Sequence, residues 1–158
     1  MMMGQFQLPE EERTYISEMI YAVLASEYFL QLRTLNYHWN VTGPHFTPLH
    51  SLFEAQYNWL RESIDLLAER IRALDFFVSL HYTQLTEASC LSAEDDDVDS
   101  AGEMLDNLIV GHEQLLPLLR MGVEKTAELK DYSTSDLLTA ILREHEKQLW
   151  ILRSQRAL

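Results

Sequence analysis

Residues 47–75 read TPLHSLFEAQYNWLRESIDLLAERIRALD, and this stretch decides the fold. Laid on a helical wheel with His50 at zero, Leu49, Phe53, Tyr57, Leu60, Ile64, Leu67, Ile71 and Leu74 fall between roughly −120° and −20°. One apolar stripe sustained over so many turns predicts a long helix with a single buried face. Thr47 is the expected N-cap and Pro48 the expected first helical residue, with the helix running to about Asp75. Glu54, Asp65 and Glu69 fall at about 40°, 60° and 100°, so together with His50 they form a second, polar stripe beside the apolar one.

Outward from this helix the same periodicity recurs. Upstream, Ile16, Met19, Ile20, Val23, Leu24 and Leu30 predict a helix from Glu10 to His38, entered through Pro9. Residues 40–46, with Gly43 and Pro44, form the turn between the two helices. Downstream, residues 76–97 are less regular, with a short helix expected over Thr83 to Ala88 and an acidic loop over 94–97. Ser100 and Glu103 have capping-box spacing and open a third long helix to about Leu129, which Pro117 should kink or deprive of one hydrogen bond. A fourth spans about Thr134 to Ser154, with Leu137, Leu138, Ile141, Leu142, Leu149 and Leu152 facing inward. The fold expected is all-α: a four-helix bundle with a long crossover, carrying a short helix, between helices two and three. That is the ferritin-like arrangement, a helix count other bundles share. One domain over residues 1–158 accounts for the length, with 1–9 as a flexible tail.

Composition narrows the function classes. Hydrophobic residues make up 47% of the chain with only 5 Gly and 4 Pro, which suits a mostly regular, well-cored fold. The formal net charge of −13, with Arg13 the first cationic side chain, argues against a phosphate-backbone partner. The single Cys90 excludes an internal disulfide and a cysteine-based zinc site, and a cytoplasmic location fits. The opening MMMGQFQLPEEER lacks the basic and apolar regions of a signal peptide. Residues 14–35 are interrupted by Glu18, Glu27 and Arg33, which reads as an amphipathic helix rather than a membrane span.

His38, His50, Glu54, Asp65 and Glu69 together make a candidate metal-ligand set. His and carboxylate suit Fe(II) or Zn(II), and open coordination positions favour reactive iron. A helix rises about 1.5 Å per residue, however, so His50 and Asp65 stand about 22 Å apart on their own helix. Either these residues are unrelated, a solvated polar face, or a second copy of the helix runs antiparallel and brings Asp65 and Glu69 opposite His50. The second case predicts a two-fold dimer with two identical sites at its seam. Tyr57, Asn58 and Trp59 lie near the expected axis, where aromatics suit an interface, and Trp39 adjoins His38. No Glu is followed by His three residues later, so the Glu-x-x-His pattern of a di-iron site inside one bundle is missing.

The run Asn36-Tyr37-His38-Trp39-Asn40-Val41-Thr42-Gly43-Pro44, then Leu49-His50, then Ile64-Asp65-Leu66-Leu67-Ala68-Glu69-Arg70-Ile71, resembles the Dps proteins, or mini-ferritins. Glu146-Lys147 with Trp150 is similar to that family's last helix, and the resemblance covers about residues 10–156. It implies a dodecameric hollow shell built from two-fold dimers. It also implies a ferroxidase centre between subunits, two irons per site, with zinc as a possible substitute. Fe(II) is then oxidised by hydrogen peroxide in preference to oxygen, and ferric mineral is stored inside. By position His38 and His50 match ligands from one subunit and Asp65 and Glu69 those from its dyad partner. Glu54 matches an acid near the second His, and Trp39 the aromatic beside the site. Glu128, Asp131 and Asp136 resemble acids lining the family's three-fold pores; helix-dipole compensation by Asp136 and a solvated loop explain them equally well. Ser51 and Ala55 depart from positions that often carry mineral-nucleating acids. His45 reads as a surface residue, and His81, His112 and His145, with no carboxylate at ligand spacing, as satisfied structural histidines. Two competing classes are a non-catalytic metal-sequestering cage and a DNA-protecting nucleoid protein. The acidic charge and the lack of a basic tail argue against DNA binding.

Overall fold

The computed structural model describes residues 8–91 and 98–157. Its elements are α1 (Glu10–Asn40), α2 (Phe46–Ala73), the short α3 (Tyr82–Ala88), α4 (Ala101–Glu128) and α5 (Tyr132–Arg156), with no strand among the described residues. The tail read over residues 1–9 lies largely outside the described residues, and so does the acidic loop over 94–97. The four long helices form the expected ferritin-like bundle. α1 packs along α2 and α4 along α5, α1 joins the two pairs through α4, and α3 lies against α1 within the long crossover.

Local chemistry explains most boundaries. At the head of α4 the Ser100 hydroxyl accepts from the Glu103 N–H at 3.2 Å, and the Glu103 carboxylate accepts from the Ser100 N–H at 3.3 Å, the reciprocal capping box the sequence predicts. α5 is capped by Asp131, whose carboxylate accepts from the Thr134 N–H at 3.1 Å. It therefore starts at Tyr132, two residues before the expected Thr134. α2 also begins early, at Phe46, with His45 at the N-cap and no side-chain cap bond. Thr47 is thus inside the first turn, and Pro48 is tolerated there because first-turn N–H groups have no helical acceptor. Pro117 sits inside α4 with its ring exposed.

The stripe on α2 packs as read: Leu49, Phe53, Leu60, Leu67, Ile71 and Leu74 are buried, with Tyr57 and Ile64 half-buried. They meet Ile16, Ile20, Val23, Leu24 and Leu30 of α1, Leu108, Leu115 and Leu119 of α4, and Leu138, Ile141 and Leu152 of α5 in one core. Two glycines let α4 approach its neighbours. A Cβ on Gly111 would stand 2.8 Å from Leu30 Cδ1, and one on Gly122 2.9 Å from Leu138 Cδ1. No described helix is long and apolar enough to cross a membrane.

Candidate metal centre

His38 ends α1 and His50 lies in the second turn of α2. The chain reverses between them through Gly43, held at φ +104°, whose carbonyl accepts from the Phe46 N–H at 3.1 Å. This hairpin brings the two imidazoles face to face, ring centroids 3.8 Å apart and planes 15° from parallel. Each ring then bonds the other's backbone. His38 Nδ1 lies 2.8 Å from the His50 carbonyl, and His50 Nδ1 lies 2.7 Å from the His38 carbonyl. A carbonyl oxygen only accepts, so each Nδ1 must carry the proton. In both neutral rings the lone pair is therefore at Nε2, the arrangement that metal-binding histidines use. Phe46 stacks against His50 at 5.0 Å and Tyr57 sets its edge on His38 at 5.2 Å, so neither ring is free to turn. The α1 end also explains why His38 is buried while Trp39, next to it, is 67% exposed.

The carboxylates stand apart from this pair. Asp65 and Glu69 are exposed one turn from each other on α2, and Glu54 is exposed one turn beyond His50. None of the three makes a hydrogen bond or ion pair among the described residues. No group of three His, Cys, Asp or Glu side chains converges within the chain among those residues. Beside Asp65 lies a groove of about 580 Å³, walled by Leu24, Ile64, Ala68, Val78 and Leu80. The chain thus presents an imidazole pair with both Nδ1 protons given to backbone carbonyls and, apart from it, two uncommitted carboxylates, with Asp65 on the rim of a groove that Arg61 and Glu62 also line.

The acids read as pore residues divide. Glu128 and Asp136 are exposed, and Glu128 is 3.4 Å from Lys125. Asp131 is buried and its carboxylate is occupied: Arg70 Nη2 donates to it at 2.9 Å, and it caps α5. It clamps the end of α2 to the start of α5. His45 and His81 are exposed. The reading of His112 and His145 needs correction. His145 does have a carboxylate, Glu27, 118 residues away at 2.9 Å, and His112 Nε2 has no hydrogen-bond partner among the described residues. Sequence spacing could not reveal this pairing because its members come from α1, α4 and α5.

The model of the ferritin-like domain family matches residues 17–158. A low-temperature-induced protein of Nostoc sp., itself described as uncharacterised, is 38% identical over 148 residues, covering 93% of this chain and 83% of that one. A "DNA protection during starvation protein" of Brevibacillus brevis is 31% identical over 147 residues, covering 90% of this chain and 97% of the relative. Among solved structures, the Dps protein of Vibrio cholerae O1 superposes with a TM-score of 0.91 at 29% identity, covering 98% of this chain and 97% of that one. That protein is described as a member of a broad superfamily of ferritin-like diiron-carboxylate proteins. With the family model spanning most of the chain and Dps proteins among its relatives and structural neighbours, this chain belongs to the ferritin-like family, in its Dps branch.

Proposed function

We propose that the chain is a ferroxidase and iron store whose sites close only between subunits. In this reading, His38 and His50 of one subunit meet Asp65 and Glu69 of the partner subunit across a two-fold axis, with Glu54 at the margin. The observation that carries it is the reciprocal imidazole–carbonyl lock. It leaves two Nε2 lone pairs unspent, while Asp65 and Glu69 of the same chain lie about 22 Å and more from His50 along α2. The groove beside Asp65 and the exposed Trp39 beside His38 supply the apolar surface such a seam requires.

Iron is the substrate and the cargo. Two Fe(II) ions held side by side give one electron each to a single hydrogen peroxide, which is reduced to the level of water. That reduction takes up two protons and hydrolysis of the two Fe(III) ions to ferric oxyhydroxide releases six, so the overall reaction releases four. Delivering both electrons together avoids the one-electron cleavage that frees hydroxyl radical. The mineral is held within a twelve-subunit shell, which Fe(II) enters past Glu128 and Asp136, and zinc competes for the same ligands. Duplex DNA is not a partner at physiological salt. The formal charge is −13, and the C-terminal arginines are engaged, Arg153 with Glu113 and Arg156 with Asp106 at 2.8 Å.

Subunit complementation tests the reading. His38→Ala/His50→Ala subunits and Asp65→Ala/Glu69→Ala subunits should each be inactive in peroxide-driven Fe(II) oxidation. Refolded together in equal amounts, they should regain activity at roughly one quarter of the sites, since each site then draws its two halves independently. A mixture as inactive as its parents would overturn the proposal.

A further inference from the structure

One residue from each long helix meets in the middle of the bundle: Glu27 of α1, Ser63 of α2, His112 of α4 and His145 of α5. Glu27, His112 and His145 are all fully buried. Ser63 Oγ donates to Glu27 Oε1 at 3.0 Å, His145 Nε2 contacts the same oxygen at 2.9 Å, and His145 Nδ1 contacts His112 Nδ1 at 2.8 Å. Trp59 sets an edge against the His145 ring at 4.9 Å. Two atoms are left over, Glu27 Oε2 and His112 Nε2, buried and without a hydrogen-bond partner among the described residues.

This is a line rather than a cage. Glu27 and His112 use opposite nitrogens of His145, so one ion cannot reach all three side chains. What the line can hold is a proton. Two neutral imidazole nitrogens in contact require one donor and one acceptor. That leaves two arrangements. In one, Glu27 carries its proton on Oε2, His145 Nε2–H donates to Oε1, and His112 Nδ1–H donates to His145 Nδ1. In the other, Glu27 Oε1–H donates to His145 Nε2, His145 Nδ1–H donates to His112 Nδ1, and His112 keeps its remaining hydrogen on Nε2. Both carry the same protons and no net charge, and each leaves Oε2 and His112 Nε2 as the free ends. Two protons would shift along the contacts between them, and the third would have to leave Oε2 and return at His112 Nε2, the opposite end of the line, so each arrangement holds its protons until one end exchanges with solvent.

We propose that Glu27, His145 and His112 form a buried proton-sharing chain that is electrically neutral at physiological pH, with Glu27 held as the carboxylic acid. The surroundings favour this state. From α2 the groups facing the chain are Ser63, Trp59 and, a turn on, Gln56. From α5 they are Glu144 and Gln148, whose amide donates to Glu144 at 2.6 Å and accepts from Gln56 at 2.9 Å. On the α4 side Arg33 of α1 is buried beside Gly111 and donates to the Asn107 carbonyl at 3.4 Å. Among the described residues no lysine or arginine pairs with Glu27. Burial pushes the Glu27 carboxyl up to about 8, against a smaller downward pull from Ser63. Burial pulls His145 down to about 3, against the opposing charge of Glu144, and drives His112 well below its usual value, with His145 adding to the effect.

The consequence for stability has two limbs. Below about pH 6.5 the unfolded chain takes protons on both imidazoles that the folded chain refuses, so acid weakens the fold. Above it, the unfolded carboxyl is already ionised while the folded one keeps its proton until about 8, so alkali weakens the fold too. Stability from these three groups peaks at about pH 6.5.

Infrared spectroscopy on the assembled protein tests the chain without reference to iron. At neutral pH almost every carboxyl is ionised, so the carbonyl band of a protonated carboxylic acid isolates Glu27. We expect that band in the wild type at pH 7, its loss with a midpoint of about 8 on raising the pH, and its absence in Glu27→Gln. Between pH 6.5 and 9 the wild-type unfolding constant should rise about thirtyfold more than that of Glu27→Gln. A wild-type spectrum with no such band at pH 7, or a band that vanishes in the ordinary carboxylate range, would overturn the proposal. Both are readable on the wild type even if Glu27→Gln fails to fold.

Discussion

The molecule holds two imidazole pairs, and they do opposite things. His38 and His50 stack with their Nδ1 protons spent on backbone carbonyls, which leaves both Nε2 atoms open at the edge of the bundle. His112 and His145 touch nitrogen to nitrogen in its centre, T-shaped at 5.0 Å, with every lone pair but one turned inward. The difference lies in the acceptor each pair is offered. A carbonyl has no proton to give, so it fixes a tautomer and exports a ligand. Another imidazole or a protonated carboxyl can give or take, so the proton stays within the pair.

That contrast can be broken experimentally, beginning where the largest effect lies. His145→Ala removes the bridge between Glu27 and His112 and opens a cavity. It should destabilise the folded chain by about 3–5 kcal/mol, read from urea or thermal unfolding. Peroxide-driven iron oxidation per folded subunit should hardly change. His38→Ala reverses the pattern. Iron oxidation should fall at least about a hundredfold, since even outer partners of ligating histidines are worth 10–100-fold. The stability cost should be only about 1 kcal/mol, from one lost hydrogen bond. Equal stability losses in the two variants would erase the distinction. The smallest expected effect sharpens it: Phe46→Leu removes the ring stacked on His50 and should weaken Fe(II) binding by up to about tenfold, with Nε2 still available.

Much of this was legible in one dimension. The apolar stripe of α2 and the Ser100–Glu103 box are local patterns, repeated every turn or closed within four residues, and both survive folding intact. The candidate ligands were legible as residue types. Their geometry was only half legible, because helix rise says that His50 and Asp65 cannot meet within one chain but not what meets them. Asp131 shows a related limit. An exposed-looking acid in a turn is indistinguishable, by sequence, from one that caps α5 and holds Arg70 from another helix.

The sequence by itself determined the helices, their order, the acidic balance and the candidate ligand positions, because each follows from spacing along the chain or from side-chain chemistry. Only the tertiary structure decided which nitrogen of His38 and of His50 carries its proton, and that Glu27 shares the bundle centre with His145. Protonation state answers to neighbours within hydrogen-bond reach, and folding draws those neighbours from helices more than a hundred residues apart.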